Sequence, residues 1–436
     1  MRTSIFKHIT DPIRFKNQLL AWSQPFREIV FLDSNQYPQH YGSYDAVLAV
    51  DALTSIKTDY QNAFEDLKQY QSQSRDWLFG YLSYDLKNDT EDLKSENSDG
   101  LHFPDLFFFQ PKKLFLLKGN QLEICYLNMC DDELEDDFTA IIQSDPGSYQ
   151  KNKEKNEVPI SIQQRISKEK YLKKVTEMLA HIHRGDIYEA NFCMEFFAEN
   201  AEINALDIYQ KLNAISETPF AVYLKNNTNY LLSASPERYL RKEGTKIITQ
   251  PIKGTAKRFS DNHLDEKAKE ALLENPKERS ENIMIVDLVR NDLSHTAEKG
   301  SVQVEELCSI YTFKQVHQMV STVISEVSHT ISPIEIIQTT FPMGSMTGAP
   351  KISAMKIIEE LEETKRGLYS GAVGYFTPAG DFDFNVVIRS ILYNSEEEYL
   401  SFSVGSAITS GSIPENEYEE CLLKAKAMRE VLSCKK

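Results

Sequence analysis

Alternation of apolar and polar residues with a period of two dominates the first 130 residues of the chain. The segments that show it are VFLDSN, YDAVLAVDA, WLFGYLSYD, LFFFQPKKLFLL and LEICYLNM. This period is typical of β-strands, because successive side chains point to opposite faces of a sheet. We therefore expect this part of the chain to be mainly strand, with short helices between the strands.

Helices and hairpins alternate in the rest of the chain, which favours a mixed α/β fold with large antiparallel sheets flanked by helices. Helices are predicted from about Ser167 to His183, from Pro276 onward, from Pro350 to a stop at Gly367, and from Pro414 to Leu432. Proline in the first turn and Asn275 as an N-cap support these helix starts. Hairpins are predicted to turn at Glu243-Gly244 and Ala379-Gly380.

A polar and charged run from Asp131 to Glu157 separates the two regions. It contains DDELEDD, SDPGS and KNKEKNE, which predicts a linker or crossing loop. We therefore expect an N-terminal region over 1–150 and a second region over 151–436. With 41% hydrophobic residues, the 436-residue chain can bury a large core.

The net charge of −17 argues against a nucleic-acid or membrane-surface partner, since either would need a basic face. An anionic ligand would have to be bound by local cations. Six scattered cysteines without a CxxC pair favour a reduced, cytoplasmic protein, and the first residues do not resemble a signal peptide.

The hairpin that turns at Glu243-Gly244 brings two reactive side chains together. Folding it pairs Glu237 with a residue near Gln250, so Glu237 and Lys253 emerge at the same end of neighbouring strands. An amine nucleophile must be neutral, and burial is expected to lower the pKa of Lys253. A surface lysine at a strand end is the alternative, and for the residue alone it is the more frequent case.

Two helices carry carboxylates with one-face spacing. Glu417, Glu420 and Lys424 follow at i, i+3 and i+7, and the helix after Pro276 carries Glu278 and Glu281. Carboxylates converging from two helices suit Mg²⁺, a hard cation. A solvated, salt-bridged helix face is the more frequent explanation for such spacing.

Three further features are candidates for binding or proton transfer. The loop FPMGSMTGAPK, which contains Thr347, leads into a helix start that attracts anions, or it is only a helix start. Arg389 projects from a β-branched strand and should meet an anion or a structural carboxylate. His317 is a possible proton carrier, although a hydrogen-bonded core histidine is more common.

Taken together, ordered segments of the chain resemble the chorismate-utilising enzymes. These segments are GDIYEANF, SASPERYL, PIKGTAKR, ERSENIMIVDLVRNDL, VHQMVST, FPMGSMTGAPK, SGAVGYF, VVIRS, VGSAI and EYEECLLKAKA. They span about Ser167 to Leu432, and the N-terminal region shows a weaker likeness. The resemblance implies the mixed α/β fold of chorismate-binding enzymes.

Two positions discriminate within that family. Lys253 in PIKGT resembles the aminodeoxychorismate synthases, component I, whereas anthranilate synthases carry alanine there. Isochorismate and salicylate synthases carry a water-activating lysine at the position of Glu189. The resemblance therefore implies an amine nucleophile and argues against water. Gln250, Glu189 and Ala407 depart from the family's usual residues.

The resemblance also implies roles for individual residues. Lys253 would be the nucleophile, Glu237 the general acid and His317 a further catalytic residue. The implied binders of chorismate are Gly254, Thr255, Thr347, Tyr375, Arg389, Gly405 and Lys424. The implied Mg²⁺ ligands are Glu281 and Glu420, with Glu417 beside them.

The implied reaction converts chorismate and ammonia into 4-amino-4-deoxychorismate, on the route to 4-aminobenzoate and folate. Lys253 adds at C2 as the 4-hydroxyl leaves, and ammonia from a separate glutaminase subunit then attacks C4. The rivals are anthranilate synthase component I and a catalytically silent relative that only binds chorismate.

Overall fold

The computed structural model describes residues 1–145 and 160–433. The first region contains six strands: β1 (Arg2–His8), β2 (Glu28–Asp33), β3 (Ala46–Thr58), β4 (Leu78–Leu82), β5 (Leu106–Lys118) and β6 (Gln121–Leu127). Its helices are α1 (Pro12–Ser23), α2 (Ala63–Ser74), α3 (Lys87–Thr90) and α4 (Leu134–Gln143). The prediction of a strand-rich N-terminal region is confirmed.

The second region alternates strands with longer helices, as predicted. Its strands are β7 (Gln163–Gln164), β8 (Glu189–Ala198), β9 (Phe220–Asn226), β10 (Asn229–Ser235), β11 (Arg238–Glu243), β12 (Lys246–Gln250), β13 (Ile252–Lys257), β14 (Gln303–Thr312), β15 (Val316–Glu326), β16 (Gly348–Ala349), β17 (Ala372–Phe376), β18 (Phe382–Val386), β19 (Ser390–Asn394) and β20 (Tyr399–Thr409). Its helices are α5 (Lys168–Arg184), α6 (Ala205–Ser216), α7 (Asn262–Glu274), α8 (Pro276–Ser294), α9 (Pro333–Thr340), α10 (Lys351–Leu361) and α11 (Pro414–Leu432).

Antiparallel pairing joins the strands into two connected sheets, with β7 and β16 paired to β8, and β13 paired to β15. One sheet runs β1-β6-β5-β3-β2-β9-β10-β19-β20-β8. The other runs β5-β4-β17-β18-β11-β12-β15-β14. Strand β5 belongs to both, because its first half pairs with β4 and its second half with β6. The fold is therefore mixed α/β with large antiparallel sheets, as expected.

Both faces of the first sheet are buried, and alternation along its strands explains why. In β3, Leu48 and Val50 face one core, packed with α1, α4, α5, α6, α10 and α11, whereas Val47 and Ala49 face the core between the sheets. Helices α2, α8 and α9 close that second core. Burying one such aliphatic side chain stabilises the fold by roughly 1.5–3 kcal/mol.

Two boundary predictions were wrong. The run after Asp131 is not all linker, since the structure has a 3₁₀ turn and then α4 up to Gln143. The rest of the predicted linker, beyond residue 145, lies outside the described residues. Helix α10 ends at Leu361 instead of continuing to Gly367. The Glu362 carboxylate accepts hydrogen bonds from Arg366 and from the backbone N–H of Cys193, and these contacts hold the chain in another direction.

The predicted boundary at 150/151 falls within undescribed residues. Strands from either side of it pair with each other, β2 with β9 and β4 with β17. None of the helices in 1–145 and 160–433 combines the length and apolarity that a bilayer crossing needs.

Candidate active site

The lysine of PIKGT lies in the interior, beside a glutamate from a distant strand. Lys253 is the second residue of β13, and its Nζ donates a hydrogen bond to Oε1 of Glu189, the first residue of β8, over 2.6 Å. The exposed fraction of the side chain is 10% for Lys253 and 1% for Glu189. The surface-lysine alternative is therefore excluded.

The expected direction of the Lys253 pKa was wrong. Burial acts to lower this pKa, but the charge and hydrogen bond of Glu189, together with the charges of Glu281 and Glu237, outweigh it. The pKa of Lys253 therefore lies above its ordinary value. A carboxylate in contact favours the ammonium form more strongly than burial disfavours it. Lys253 and Glu189 thus form an ion pair, and Lys253 is not a free amine.

Glu237 comes to the same place from the preceding hairpin, as predicted. Its neighbour Arg238 pairs with Gln250 in the β11–β12 ladder, one residue from the expected register. The side chain is buried, and burial raises the pKa of Glu237 to about 7 although a hydrogen bond from Ser345 and the charge of Lys253 oppose the shift. A carboxyl with this pKa can donate a proton near neutral pH.

Gly254 allows helix α8 to approach the strand that carries the lysine. Its φ is +90°, and a Cβ there would lie 3.0 Å from Oε2 of Glu278 and 3.3 Å from Cβ of Met319. A side chain would therefore be strained both by the backbone conformation and by its contacts. Thr255 follows in the ladder opposite Gln318.

Helices α8 and α11 each place a carboxylate near the ammonium of Lys277. Oε1 of Glu281 is buried and has no hydrogen-bond partner among residues 1–145 and 160–433, and burial raises the pKa of Glu281 to about 7. The ammonium of Lys277 lies 3.7 Å from Glu281 and 3.6 Å from the buried Glu417. Lys277 thus forms an ion pair with one carboxylate of its own helix and one of α11.

The remaining predicted ligand, Glu420, is paired with Lys424. Their charged atoms are 2.6 Å apart, and Lys424 also donates to the carbonyl of Gly405 over 2.8 Å. Burial acts to raise the pKa of Glu420, but Lys424 outweighs it and the pKa lies below its ordinary value. Gly405 itself has no room for a side chain, since a Cβ would meet Sγ of Cys193 at 2.6 Å.

The carboxylates fit a divalent cation in their chemistry but are not arranged as a finished cage. Across residues 1–145 and 160–433, no three acidic, imidazole or thiol side chains converge closely enough to hold a metal as they stand. The buried oxygen of Glu281 without a partner, and the ammonium of Lys277 shared with Glu417, indicate that this position attracts positive charge. Oxygen ligands of this kind suit Mg²⁺.

Arg389 supplies a cation without a counter-ion. Its φ is 52°, and within the described residues its guanidinium has neither a hydrogen bond nor an ion pair. Burial lowers the pKa of Arg389, while the nearby Tyr369 and Glu420 act in the opposite direction. A desolvated guanidinium is costly unless an anion binds it, so this residue is suited to a ligand carboxylate. The alternative interpretation of Arg389, a structural ion pair, finds no partner for it in the described residues.

Tyr375, which was predicted to bind substrate, lies elsewhere. Its ring packs against Trp77 and Phe79 and lines a different pocket, together with Asp383. The tyrosine beside Arg389 is Tyr369. No sequence periodicity marked Tyr369, because it lies in a turn before β17.

The Gly-rich loop contributes through its backbone and Ser345. Thr347 is buried; its hydroxyl donates to the carbonyls of Met343 and Gly344, and its own carbonyl accepts from the N–H of Asn191 over 2.8 Å. The loop thus runs beside the start of β8. Thr347 as a binder of substrate stays a prediction, and Ser345 is the side chain that contacts Glu237.

His317 is held away from this cluster by its own partners. One ring nitrogen is 3.1 Å from Asp265 and the other is 3.0 Å from Thr312. Asp265 also binds the guanidinium of Arg258. Both nitrogens are therefore engaged in a structural network, which favours the core-histidine interpretation. Its catalytic role stays an untested prediction.

The chain is similar to known proteins along most of its length. A family described as chorismate binding enzyme matches residues 22–430. Aminodeoxychorismate synthase component 1 of Bacillus subtilis is 32% identical over 367 residues, which cover 81% of this chain and 76% of that protein. An anthranilate synthase component I-like protein of Synechocystis sp. is 33% identical over 353 residues, which cover 81% of this chain and 71% of that protein.

The fold also matches a solved structure. Anthranilate synthase component I from Streptococcus pneumoniae aligns with a TM-score of 0.78 and 24% identity, over 90% of this chain and 94% of that one. Because the family match spans nearly the whole chain and both relatives exceed 30% identity, the chain belongs to the chorismate binding enzyme family.

Proposed function

We propose that this chain is an aminodeoxychorismate synthase component I, which converts chorismate and ammonia into 4-amino-4-deoxychorismate. Relatives named for this activity and for anthranilate synthesis are equally similar, so identity does not choose between them. The observation that carries the proposal is the buried amine of Lys253 among Glu189, Glu237 and Glu281. A buried lysine whose pKa is shifted by several carboxylates marks a candidate catalytic site, and its nitrogen is the candidate nucleophile.

In the proposed reaction, the nitrogen of Lys253 forms a bond to C2 of the ring while the bond from C4 to its hydroxyl breaks. Glu237 protonates that hydroxyl, which departs as water. Ammonia then bonds to C4, the bond from C2 to Lys253 breaks, and the proton released from the new amino group returns to Glu237. Two allylic displacements replace one difficult substitution. The pKa of Glu237, raised to about 7 by burial, suits a group that is an acid and then a base.

Cations in the site would hold the two carboxylates of chorismate. Arg389 makes no ion pair with any residue in 1–145 or 160–433, and Lys424 lies on helix α11. A chain with a net charge of −17 needs such local cations to bind a dianion. We assign Arg389 to one carboxylate because its desolvated guanidinium gains most from an anion.

Glu281 and Glu420, with Glu417 beside them, would hold Mg²⁺. This requires the ammonium of Lys277 to leave the carboxylates that it now contacts. The ion would supply positive charge next to a ring carboxylate, in place of the ammonium of Lys277.

A separate glutaminase would supply the ammonia. The five cysteines among the described residues are all buried, and burial raises the pKa of each. A glutaminase nucleophile needs the opposite environment, one that is accessible and lowers the thiol pKa. Cytoplasmic localisation and a place in folate synthesis follow from the same proposal.

The test is product analysis with chorismate, Mg²⁺ and ammonium, with and without an aminodeoxychorismate lyase. We expect 4-aminobenzoate only when the lyase is present, and its loss in Lys253→Ala. Lys257→Ala, on the same strand, is the control for lysine removal as such. Anthranilate as the main product would instead identify an anthranilate synthase, and a lack of any turnover would identify a silent chorismate binder.

A further inference from the structure

The partner of Lys253 is itself an unusual group. Glu189 begins β8, where Ala349 pairs with it on one side and Thr409 on the other, so its backbone is fixed in the sheet. Its side chain is 1% exposed. Oε1 accepts from Lys253, while the buried Oε2 has no hydrogen-bond partner in the described part of the chain. One oxygen of this carboxylate therefore contacts Nζ of Lys253, and the other accepts no hydrogen bond from the described residues.

Other acids surround the lysine, but each has a different position. Glu237 approaches from the turn before β11, and Glu281 from α8, and both act on Lys253 through charge. Glu278 on α8 and Glu420 on α11 interact with it in the same way. Only Glu189, among the described residues, makes a hydrogen bond to the Lys253 ammonium.

We propose that Glu189 is a further catalytic residue, which takes a proton from Nζ of Lys253 before that nitrogen attacks and returns it when the nitrogen leaves. The proposal rests on the function proposed above, because it assigns the proton of that nucleophile. A contact of 2.6 Å allows direct transfer without an intervening water.

The proton balance is complete within this pair and the substrate. The resting pair is Lys253 ammonium and Glu189 carboxylate; transfer gives a neutral amine and a carboxylic acid. The amine bonds to C2, carrying its two remaining protons, and becomes a secondary ammonium. When the bond to C2 breaks, the amine leaves neutral and Glu189 returns the proton. Glu237 donates and regains the separate proton at C4. Each carboxyl group therefore exchanges a proton with only one reaction centre.

The geometry also indicates what a proton acceptor beside Lys253 would contribute. Burial alone would lower the pKa of Lys253, yet its carboxylate neighbours hold that pKa above its ordinary value. Lys253 therefore favours the ammonium form, which cannot attack carbon. A proton acceptor within reach removes that obstacle at the moment when the substrate is bound.

The test compares Glu189→Gln with the wild-type chain. Glutamine keeps the size and one acceptor oxygen for Lys253 but cannot take a proton. Glu195→Gln is the matched control, since Glu195 is a buried carboxylate on the same strand that binds Arg165, Tyr399 and Ser401 instead. Thermal unfolding and circular dichroism establish that each variant is folded.

Two measurements are made on these chains. The first is kcat for aminodeoxychorismate formation, which we expect to fall by roughly 10²- to 10⁴-fold in Glu189→Gln. The second is acetylation of Lys253 by acetic anhydride in the substrate-free chain, followed by peptide mass spectrometry between pH 7 and pH 11. Its midpoint should move to lower pH in Glu189→Gln and stay unchanged in Glu195→Gln.

The outcomes separate this inference from the proposed function. If the wild-type chain makes aminodeoxychorismate and Glu189→Gln retains kcat within about threefold, Glu189 only positions the lysine and the acid–base role is overturned. An unchanged acetylation midpoint overturns it as well, because the pair then does not control the proton. If the wild-type chain makes no aminodeoxychorismate, the proposed function fails, and the catalytic role of Glu189 fails with it.

Discussion

The raised pKa of Glu237 predicts that Glu237→Gln stabilises the chain at alkaline pH while removing its activity. Glutamine has nearly the same shape and keeps a polar group for Ser345, but it never ionises. In the wild-type chain, ionisation places a negative charge in a buried position. Replacing the acid therefore removes a destabilising charge and, at the same time, the proposed proton donor.

The magnitude follows from the pKa. Burial raises it from 4.5 to about 7, and each unit corresponds to about 1.4 kcal/mol, so the ionised form costs about 3 kcal/mol above pH 7. The folded chain binds this proton more tightly than the unfolded chain, so stability falls as pH rises from about 4.5 to 7. We expect Glu237→Gln to exceed the wild type in free energy of unfolding by about 3 kcal/mol at pH 8 and by close to zero at pH 4.

Urea denaturation at both pH values measures this difference, because most other acid effects are common to the two chains and cancel. Turnover should fall by roughly 10²- to 10⁴-fold in the variant, as for loss of a general acid. Wild-type kcat should itself decline above pH 7, as Glu237 loses the proton it must donate. An equal stability difference at pH 4 and pH 8 would refute the assignment of a raised pKa.

Three further predictions concern other parts of the site. Gly254→Ala should lower the unfolding free energy by roughly 1–3 kcal/mol, because Gly254 has a positive φ and tight contacts. The control is Gly244→Ala, which should cost less because Gly244 lies in open space at a turn. Thermal unfolding measures both. Arg389→Gln should raise the KM for chorismate by roughly ten- to a hundredfold, since it removes one charged hydrogen-bond donor, and an unchanged KM would exclude carboxylate binding there. Lys277→Met should tighten Mg²⁺ binding by roughly two- to fivefold in calorimetry, because a half-exposed ammonium no longer competes for the carboxylates; weaker binding would show that Lys277 helps to form the site.

Features governed by neighbouring residues were predictable. Helix α11 runs from Pro414 to Leu432, as predicted, because proline fixes the first turn. Helix α8 begins after Asn275, whose side chain accepts from the N–H groups of Lys277 and Glu278. The β11–β12 hairpin has nearly the expected register, since its turn and alternation define it.

Features that depend on distant residues were not predictable in the same way. Helix α10 should have continued by its helical pattern, but Glu362 binds Cys193, 169 residues away, and the helix ends. The position of Tyr369 beside Arg389 could not be predicted. This tyrosine lies in a turn before β17, where the alternation of residues does not give the direction of a side chain. The ion pair of Lys277 and Glu281 is different, because its i, i+4 spacing on one helix can be read from the sequence.

The sequence by itself determined the strand-rich mixed fold, the hairpin that carries Glu237 and Lys253, and the helices that carry the glutamates. Each of these follows from periodicity, turns and caps within a few residues. The tertiary structure alone decided the charge state of Lys253. Burial and ion pairing shift a lysine pKa in opposite directions, and the outcome depends on Glu189, 64 residues away along the chain but 2.6 Å away in space.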